Sequence, residues 1–265
     1  MILVMDVGNT ECTVGMFDGE RLAAHWRLTT DVQRTADELV LLLLGLVDSA
    51  KLDPGVVNGA AIGSVVPRLT EPMSEACRRA FGVSVVVIDA RSPLPIQLAV
   101  DEPLTVGADR LINTLAASRL LKRDTIVVDL GTATTFDCIT SNGVFLGGVI
   151  APGVRTSAET LYRSTSKLPD TELVMPERVI GTRTEECIRA GVLLGSADAV
   201  DGLVRRIKAE WPNDTEPLVV ATGGLAELLA PHCRSIDQVE PWLTLQGLRI
   251  AWELLGAGEP AMTAQ

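Results

Sequence analysis

Aromatic residues are scarce in this 265-residue chain, which holds four Trp, one Tyr and four Phe. Its core must be assembled from Val, Leu, Ile and Ala, a palette that suits layered α/β structure. Apolar residues at 47% against 22% charged supply enough material for one and exclude disorder as the main state. Basic residues are outnumbered, 23 to 34, for a net charge of −11. That balance disfavours a protein that grips nucleic acid through a basic surface, and leaves any phosphate ligand to local backbone geometry and cations. The two histidines, His25 and His232, stand in no H-x-x-H or H-E-x-x-H setting, which rules out a metalloprotease. The five cysteines, Cys12, Cys77, Cys138, Cys187 and Cys233, are odd in number and scattered, with no C-x-x-C pair. They read as buried thiols in a reducing cytosol.

Long hydrophobic runs are missing too. The stretch Leu39 to Val47, broken by Gly45, falls far short of the roughly 20 residues of a membrane span and reads as a core helix. Met1 to Asp6 is strand-like with no basic region before it, so no secretory signal, no membrane association and a cytoplasmic location are expected. Neither G-x-x-x-x-G-K-[ST] nor G-x-G-x-x-G occurs, so the P-loop and Rossmann routes to a nucleotide are closed. Asn213-Asp214-Thr215 matches a glycosylation sequon, which in a cytosolic chain is a chance match.

What is present is a duplication. Ile2-Leu3-Val4-Met5 and Thr125-Ile126-Val127-Val128 are short apolar runs that each end at Asp-x-Gly, Asp6-Val7-Gly8 and Asp129-Leu130-Gly131. A second strand follows each, Thr13 to Phe17 and Thr134 to Ile139. Each then meets a hairpin turn, Asp18-Gly19 or Asn142-Gly143. Gly59 to Val66 and Leu218 to Gly224 are apolar runs entering small-residue turns at comparable places. Helical periodicity covers Thr35 to Ala50, Ala108 to Leu121 and the long stretch Thr184 to Trp211. The pattern predicts two related domains, 1–123 and 124–255, each a mixed sheet flanked by helices, with a frayed tail over 256–265. The active site is expected in the cleft between them.

Asp-x-Gly-(Asn/Thr)-Thr at a strand end suits a nucleotide phosphate. Glycine lets the backbone approach, successive amides and hydroxyls donate to phosphate oxygens, and the aspartate orients a hydrated cation. Gly107-Ala108-Asp109-Arg110 opens the helical run Leu111 to Ala116. By itself it reads as an N-terminal aspartate with a solvated arginine; beside two phosphate turns it reads as a carboxylate base with a guanidinium for an anionic acceptor. Gly147-Gly148-Val149-Ile150-Ala151-Pro152-Gly153 and Thr222-Gly223-Gly224 are further places where bare backbone can approach a ligand.

These motifs, in this order and spacing, resemble the type III pantothenate kinases. The supporting stretches are Gly63-Ser64-Val65-Val66-Pro67 and Leu243 to Leu248, and the likeness runs from Ile2 to about Leu255. The resemblance implies an actin-like, duplicated ribonuclease-H-like α/β fold and a homodimer. It implies ATP-dependent phosphorylation of the terminal hydroxyl of pantothenate, the first step towards coenzyme A. Asp109 would be the general base; Arg110 would meet the pantothenate carboxylate, with Gly107 and Ala108 shaping the pocket and Thr184 a further substrate contact. The turn Asp6, Val7, Gly8, Asn9, Thr10, Glu11, Cys12 and Thr13, together with Thr132, would contact ATP. Asp129 would hold a monovalent cation, potassium or ammonium, and Asp6 would orient magnesium. The chain departs from the family pattern at Ala99-Val100-Asp101-Glu102-Pro103, where an aromatic residue is common.

Three other readings compete with this one. One is a kinase on the same fold for another small alcohol, among which the Asp109-Arg110 pair favours an anionic one. The second is non-catalytic, a nucleotide-binding regulatory relative, against which both phosphate turns and Asp109 argue. The third is an actin-like ATPase, which would need no acceptor pocket. Pantothenate and ATP are thus the expected partners, with no nucleic acid and no membrane.

Overall fold

The computed structural model describes residues 1–256, so the expected tail lies, but for Gly256, outside the described residues. The chain forms two compact units, one from Met1 to Leu120 completed by Leu243 to Gly256, the other from Leu121 to Trp242. In the first, β1 (Ile2–Val7), β2 (Glu11–Asp18) and β3 (Arg21–Thr29) form an antiparallel meander followed by helix α1 (Ala36–Ser49). Then come β4 (Gly59–Ser64), α2 (Pro67–Phe81), β5 (Val85–Ile88), the short β6 (Gln97–Leu98) and α3 (Ala108–Ala116), which runs on into a π-helical turn, Ala117–Leu121. The second unit contains β7 (Thr125–Leu130), β8 (Ala133–Ile139), β9 (Val144–Pro152), α4 (Val154–Ser164) and α5 (Thr184–Arg189). A π-helical turn, Ala190–Leu194, leads to α6 (Gly195–Ala209), then β10 (Leu218–Thr222), α7 (Ala226–Leu229) and β11 (Gln238–Val239). Helix α8 (Leu243–Leu255) ends the described chain.

The duplication expected from the two Asp-x-Gly turns is a duplication of topology. The first sheet has the order β3-β2-β1-β4-β5, and five strands of the six-stranded second sheet repeat it as β9-β8-β7-β10-β11. Register repeats as well: Asp6 pairs with Thr13 on one side and Gly63 on the other, as Asp129 pairs with Thr135 and Thr222. The central parallel strands are apolar on both faces, as strands covered by helices must be. Helix α1 begins at a capping box, in which Thr35 accepts from the Glu38 amide while the Glu38 carboxylate accepts from the Thr35 amide. Its Leu39, Leu43 and Val47 recur every four residues and are buried with Leu3, Met5, Val14 and Met16 of the sheet.

Helix α8 departs from the expected division. A linear boundary at residue 124 puts it in the second domain, whereas it packs within the first unit on β1, β4 and α3. Glycines make that packing possible. A methyl group on Gly63 would collide with the Ile112 side chain, one on Gly247 would lie 2.5 Å from the Ile112 carbonyl oxygen, and one on Gly59 would enter the Trp252 ring. The Thr244 hydroxyl donates to Asn113 Oδ1 at 2.9 Å, tying α8 to α3 through two buried polar side chains. The stretches Gly63 to Pro67 and Leu243 to Leu248 are thus partly explained by the clamping of α3.

Two smaller expectations meet the structure differently. All five cysteines are free, but Cys187 is exposed rather than buried, because α5 turns it outward with its thiol on the Gly181 carbonyl. The sequon is occupied structurally: Asn213 and Thr215 donate to the buried Asp124 carboxylate, which also accepts from the Trp211 indole and the Ser141 amide. Among the described residues no helix is long and apolar enough to cross a membrane.

Candidate active site

The first phosphate turn is the connection from β1 to β2. Gly8 donates its amide to the Glu11 carbonyl at 3.0 Å, and Thr30, just after β3, braces the turn, its amide donating to the Thr10 carbonyl and its hydroxyl to the Gly8 carbonyl. Asn9, Thr10 and Glu11 are exposed, Asp6, Gly8 and Thr13 half-buried. Val7 and Cys12 differ: at 0% and 1% exposure their side chains lie in the core, so only their backbone is available to a nucleotide. Burial and the nearby Asp6 carboxylate also push the Cys12 thiol far up, leaving it inert.

The second turn, from β7 to β8, is one residue shorter. Gly131 donates to the Ala133 carbonyl at 3.1 Å, and the exposed Thr132 offers its carbonyl to the Gly153 amide and the Thr156 hydroxyl. A methyl group on Gly153 would overlap the Gly131 and Thr132 carbonyls. Half-buried Asp129 is the penultimate residue of β7, and Gly223, at φ +90°, crosses so close that a methyl group on it would strike Asp129 Oδ1. Thr184, exposed, is the first residue of α5. The loop before it is fixed by Glu186, whose carboxylate accepts the Thr182 amide at 2.8 Å and pairs with Arg178.

Asp109 lies in the first turn of α3, whose N-cap is Gly107. Its Oδ1 accepts the Arg110 amide at 2.9 Å, and a methyl group on Gly107 would approach that oxygen to 2.5 Å. Burial pushes the Asp109 carboxyl above the usual carboxylate range, an effect opposed by the Arg110 amide and the charge of its guanidinium. A carboxylate shifted in that direction is a stronger base than a free one, as a general base requires.

Sequence reasoning missed the walls beside this segment. A cavity of about 300 Å³ opens within the first unit, bounded by Ser64 and Val65 at the end of β4, Ile88 at the end of β5 with Arg91 beyond it, and Val106 and Gly107 before α3. Strand register aligns it with the phosphate turn: Asp6 pairs with Gly63, and Gly63 with Ile88, in one row at the carboxyl ends of three parallel strands. In open α/β sheets that edge is where ligands bind. Gly63 and its following Ser-Val were the available signal.

A family model described as type III pantothenate kinase matches residues 2–206. The chain belongs to the type III pantothenate kinase family. It is 48% identical to a type III pantothenate kinase of Roseiflexus castenholzii over 254 residues, 96% of this chain and 99% of that protein. The counterpart from Moorella thermoacetica is 43% identical over 96% and 99% of the two chains. Among solved structures, the ethanolamine utilization protein EutJ of Carboxydothermus hydrogenoformans superposes with a TM-score of 0.54 at 18% identity, covering 93% of this chain and 88% of that one. The ROK hexokinase of Thermus thermophilus gives 0.50 at 15%, covering 94% and 97%. These likenesses show the fold, duplicated ribonuclease-H-like units of the sugar-kinase type; the family makes the chain a kinase, with ATP as co-substrate.

The cations implied by the family find a compatible donor set. Asp6 and Asp129 are half-buried carboxylates near strand ends. No group of three or more His, Cys, Asp and Glu that could hold a metal occurs among the described residues. Carboxylates outside any such group fit magnesium that keeps its waters and phosphate oxygens, or a loosely held monovalent ion, and do not fit an all-protein cage.

Proposed function

We propose that this kinase transfers the γ-phosphoryl group of ATP to the terminal hydroxyl of pantothenate, giving 4'-phosphopantothenate in the first step of coenzyme A synthesis. The observation that carries the reading is the alignment of the Asp6 turn with the cavity beside Gly107, at the head of the helix that bears Asp109.

Phosphoryl transfer passes through a loose transition state, so positioning and charge neutralisation do most of the work. Asp109 accepts the proton of the attacking hydroxyl and aims its oxygen in line; its raised pKa favours that transfer. Arg110 stabilises the ionised base and meets the acceptor carboxylate, Gly107 and Ala108 leave room for the acceptor, and Thr184 contributes a further contact. The amides and hydroxyls from Asp6 to Thr13 and at Thr132 bind ATP phosphates. Magnesium at Asp6 and potassium or ammonium at Asp129, when bound, neutralise phosphate charge. The enzyme acts as a cytoplasmic homodimer.

The test is incubation of purified protein with ATP, magnesium, potassium and pantothenate, following the phosphorylated product by mass. Product formation supports substrate and reaction together. ATP binding without product would replace pantothenate by another acceptor.

A further inference from the structure

Arg91 follows β5 in a tight turn built by its neighbour. The Asp89 carboxylate accepts the Arg91 amide at 2.8 Å and the Ser92 hydroxyl at 3.4 Å, while the Asp89 amide binds Ser92 Oγ at 3.0 Å. The turn therefore fixes the Arg91 backbone, and the guanidinium is left over. Among the described residues it makes no ion pair, although Asp89 lines the same cavity. Arg110, by contrast, already holds the charge of the adjacent Asp109.

Among the described residues Arg91 is the one cation on the cavity wall, in a chain of net charge −11. A cation left unpaired beside a cavity in an acidic protein supplies attraction for an anion that the rest of the surface repels. Guanidinium is also the group best shaped for a carboxylate.

We propose that Arg91 is a specificity-determining residue, a second cationic contact that makes the cavity prefer acceptors carrying a carboxylate over neutral ones. The inference rests on the reading that the acceptor occupies the cavity beside Gly107. Arg91 is exposed, so its effect acts through ground-state attraction and is screened by salt.

The experiment compares wild type, Arg91→Met and Arg91→Lys on pantothenate and on its neutral alcohol analogue, in which the carboxylate is a hydroxymethyl group. Arg91→Met is expected to raise KM for pantothenate about fivefold with little change in kcat, and Arg91→Lys to recover part of the loss. The kcat/KM for the neutral analogue should move far less, and the difference on pantothenate should shrink as ionic strength rises. Equal losses on both acceptors, or no loss on pantothenate, would overturn the proposal. Wild-type protein inactive on pantothenate would overturn the functional reading itself, a result distinct from either.

Discussion

Gly223 approaches Asp129 so closely that a single methyl group on it would collide with the carboxylate Oδ1. The second phosphate turn thus depends on two residues nearly a hundred positions apart, joined because β10 and β7 are parallel neighbours with Thr222 opposite Asp129. The bare backbone at Gly223 leaves room for that carboxylate, the proposed cation ligand.

Gly223→Ala therefore suffers twice, from the collision and from a φ of +90° that a side chain adopts only under strain. Thermal unfolding should show a loss of about 1–3 kcal/mol. Wild-type activity should be higher in potassium than in sodium, and the variant should lose much of that difference. Wild-type turnover indifferent to the cation would remove Asp129 from cation binding.

Asp109→Asn should keep ATP binding and abolish transfer. The sign of the stability effect separates this from simple damage. A carboxyl with its folded-state pKa raised by burial binds its proton more tightly in the folded protein, so it loses stability as pH rises from its unfolded pKa through the raised value. Above the raised value the ionised group opposes folding, and there the neutral amide should melt no lower than wild type. In wild type, kcat/KM should fall as pH drops through the raised pKa, above the range of an ordinary aspartate. A strongly destabilised Asp109→Asn would point to a structural role instead.

Asp124 has the opposite sign. Burial raises its pKa, but hydrogen bonds from Thr215, Trp211, Ser141 and Asn213 outweigh that and hold it down to about 2. A depressed carboxyl stabilises above its unfolded pKa and loses that contribution as pH falls through the folded value. Asp124→Asn should cost about 2 kcal/mol in urea unfolding at pH 6, with the gap narrowing by pH 3. A gap independent of pH would mean that ionisation is not what the cluster supplies.

The duplication was legible because each Asp-x-Gly turn is followed at nearly the same interval by a hairpin glycine, Gly19 or Gly143, both of which sit at positive φ. Helix α1 was legible through Thr35, Glu38 and its four-residue apolar spacing. Helix α2 was not, because Pro72 lies inside it and reads as a breaker. The placement of α8 with the first unit was hidden for another reason: its contacts to α3 and β4 are made by glycines and by neighbours far away in sequence. At the site, Gly107 to Arg110 could be read as a linear motif, whereas the cavity wall from β4 and β5 exists only through strand register.

The last relationship to test is the clamp on α3. Alanine favours a helix over glycine by about 1 kcal/mol, so Gly247→Ala in α8 should stabilise if propensity decides. It should destabilise instead, because the new methyl group would meet the Ile112 backbone carbonyl at 2.5 Å, and backbone yields far less than a flexible side chain. Overpacking of this kind costs about 1–3 kcal/mol. The displaced helix carries Asp109, so kcat should fall along with stability. Gly202 in α6 supplies the control, since a methyl group there meets nothing within 4 Å. Gly202→Ala should gain up to about 1 kcal/mol with kinetics unchanged. Thermal melts and steady-state rates on the two variants decide the matter; a stabilised, fully active Gly247→Ala would show that α8 does not set the position of the base.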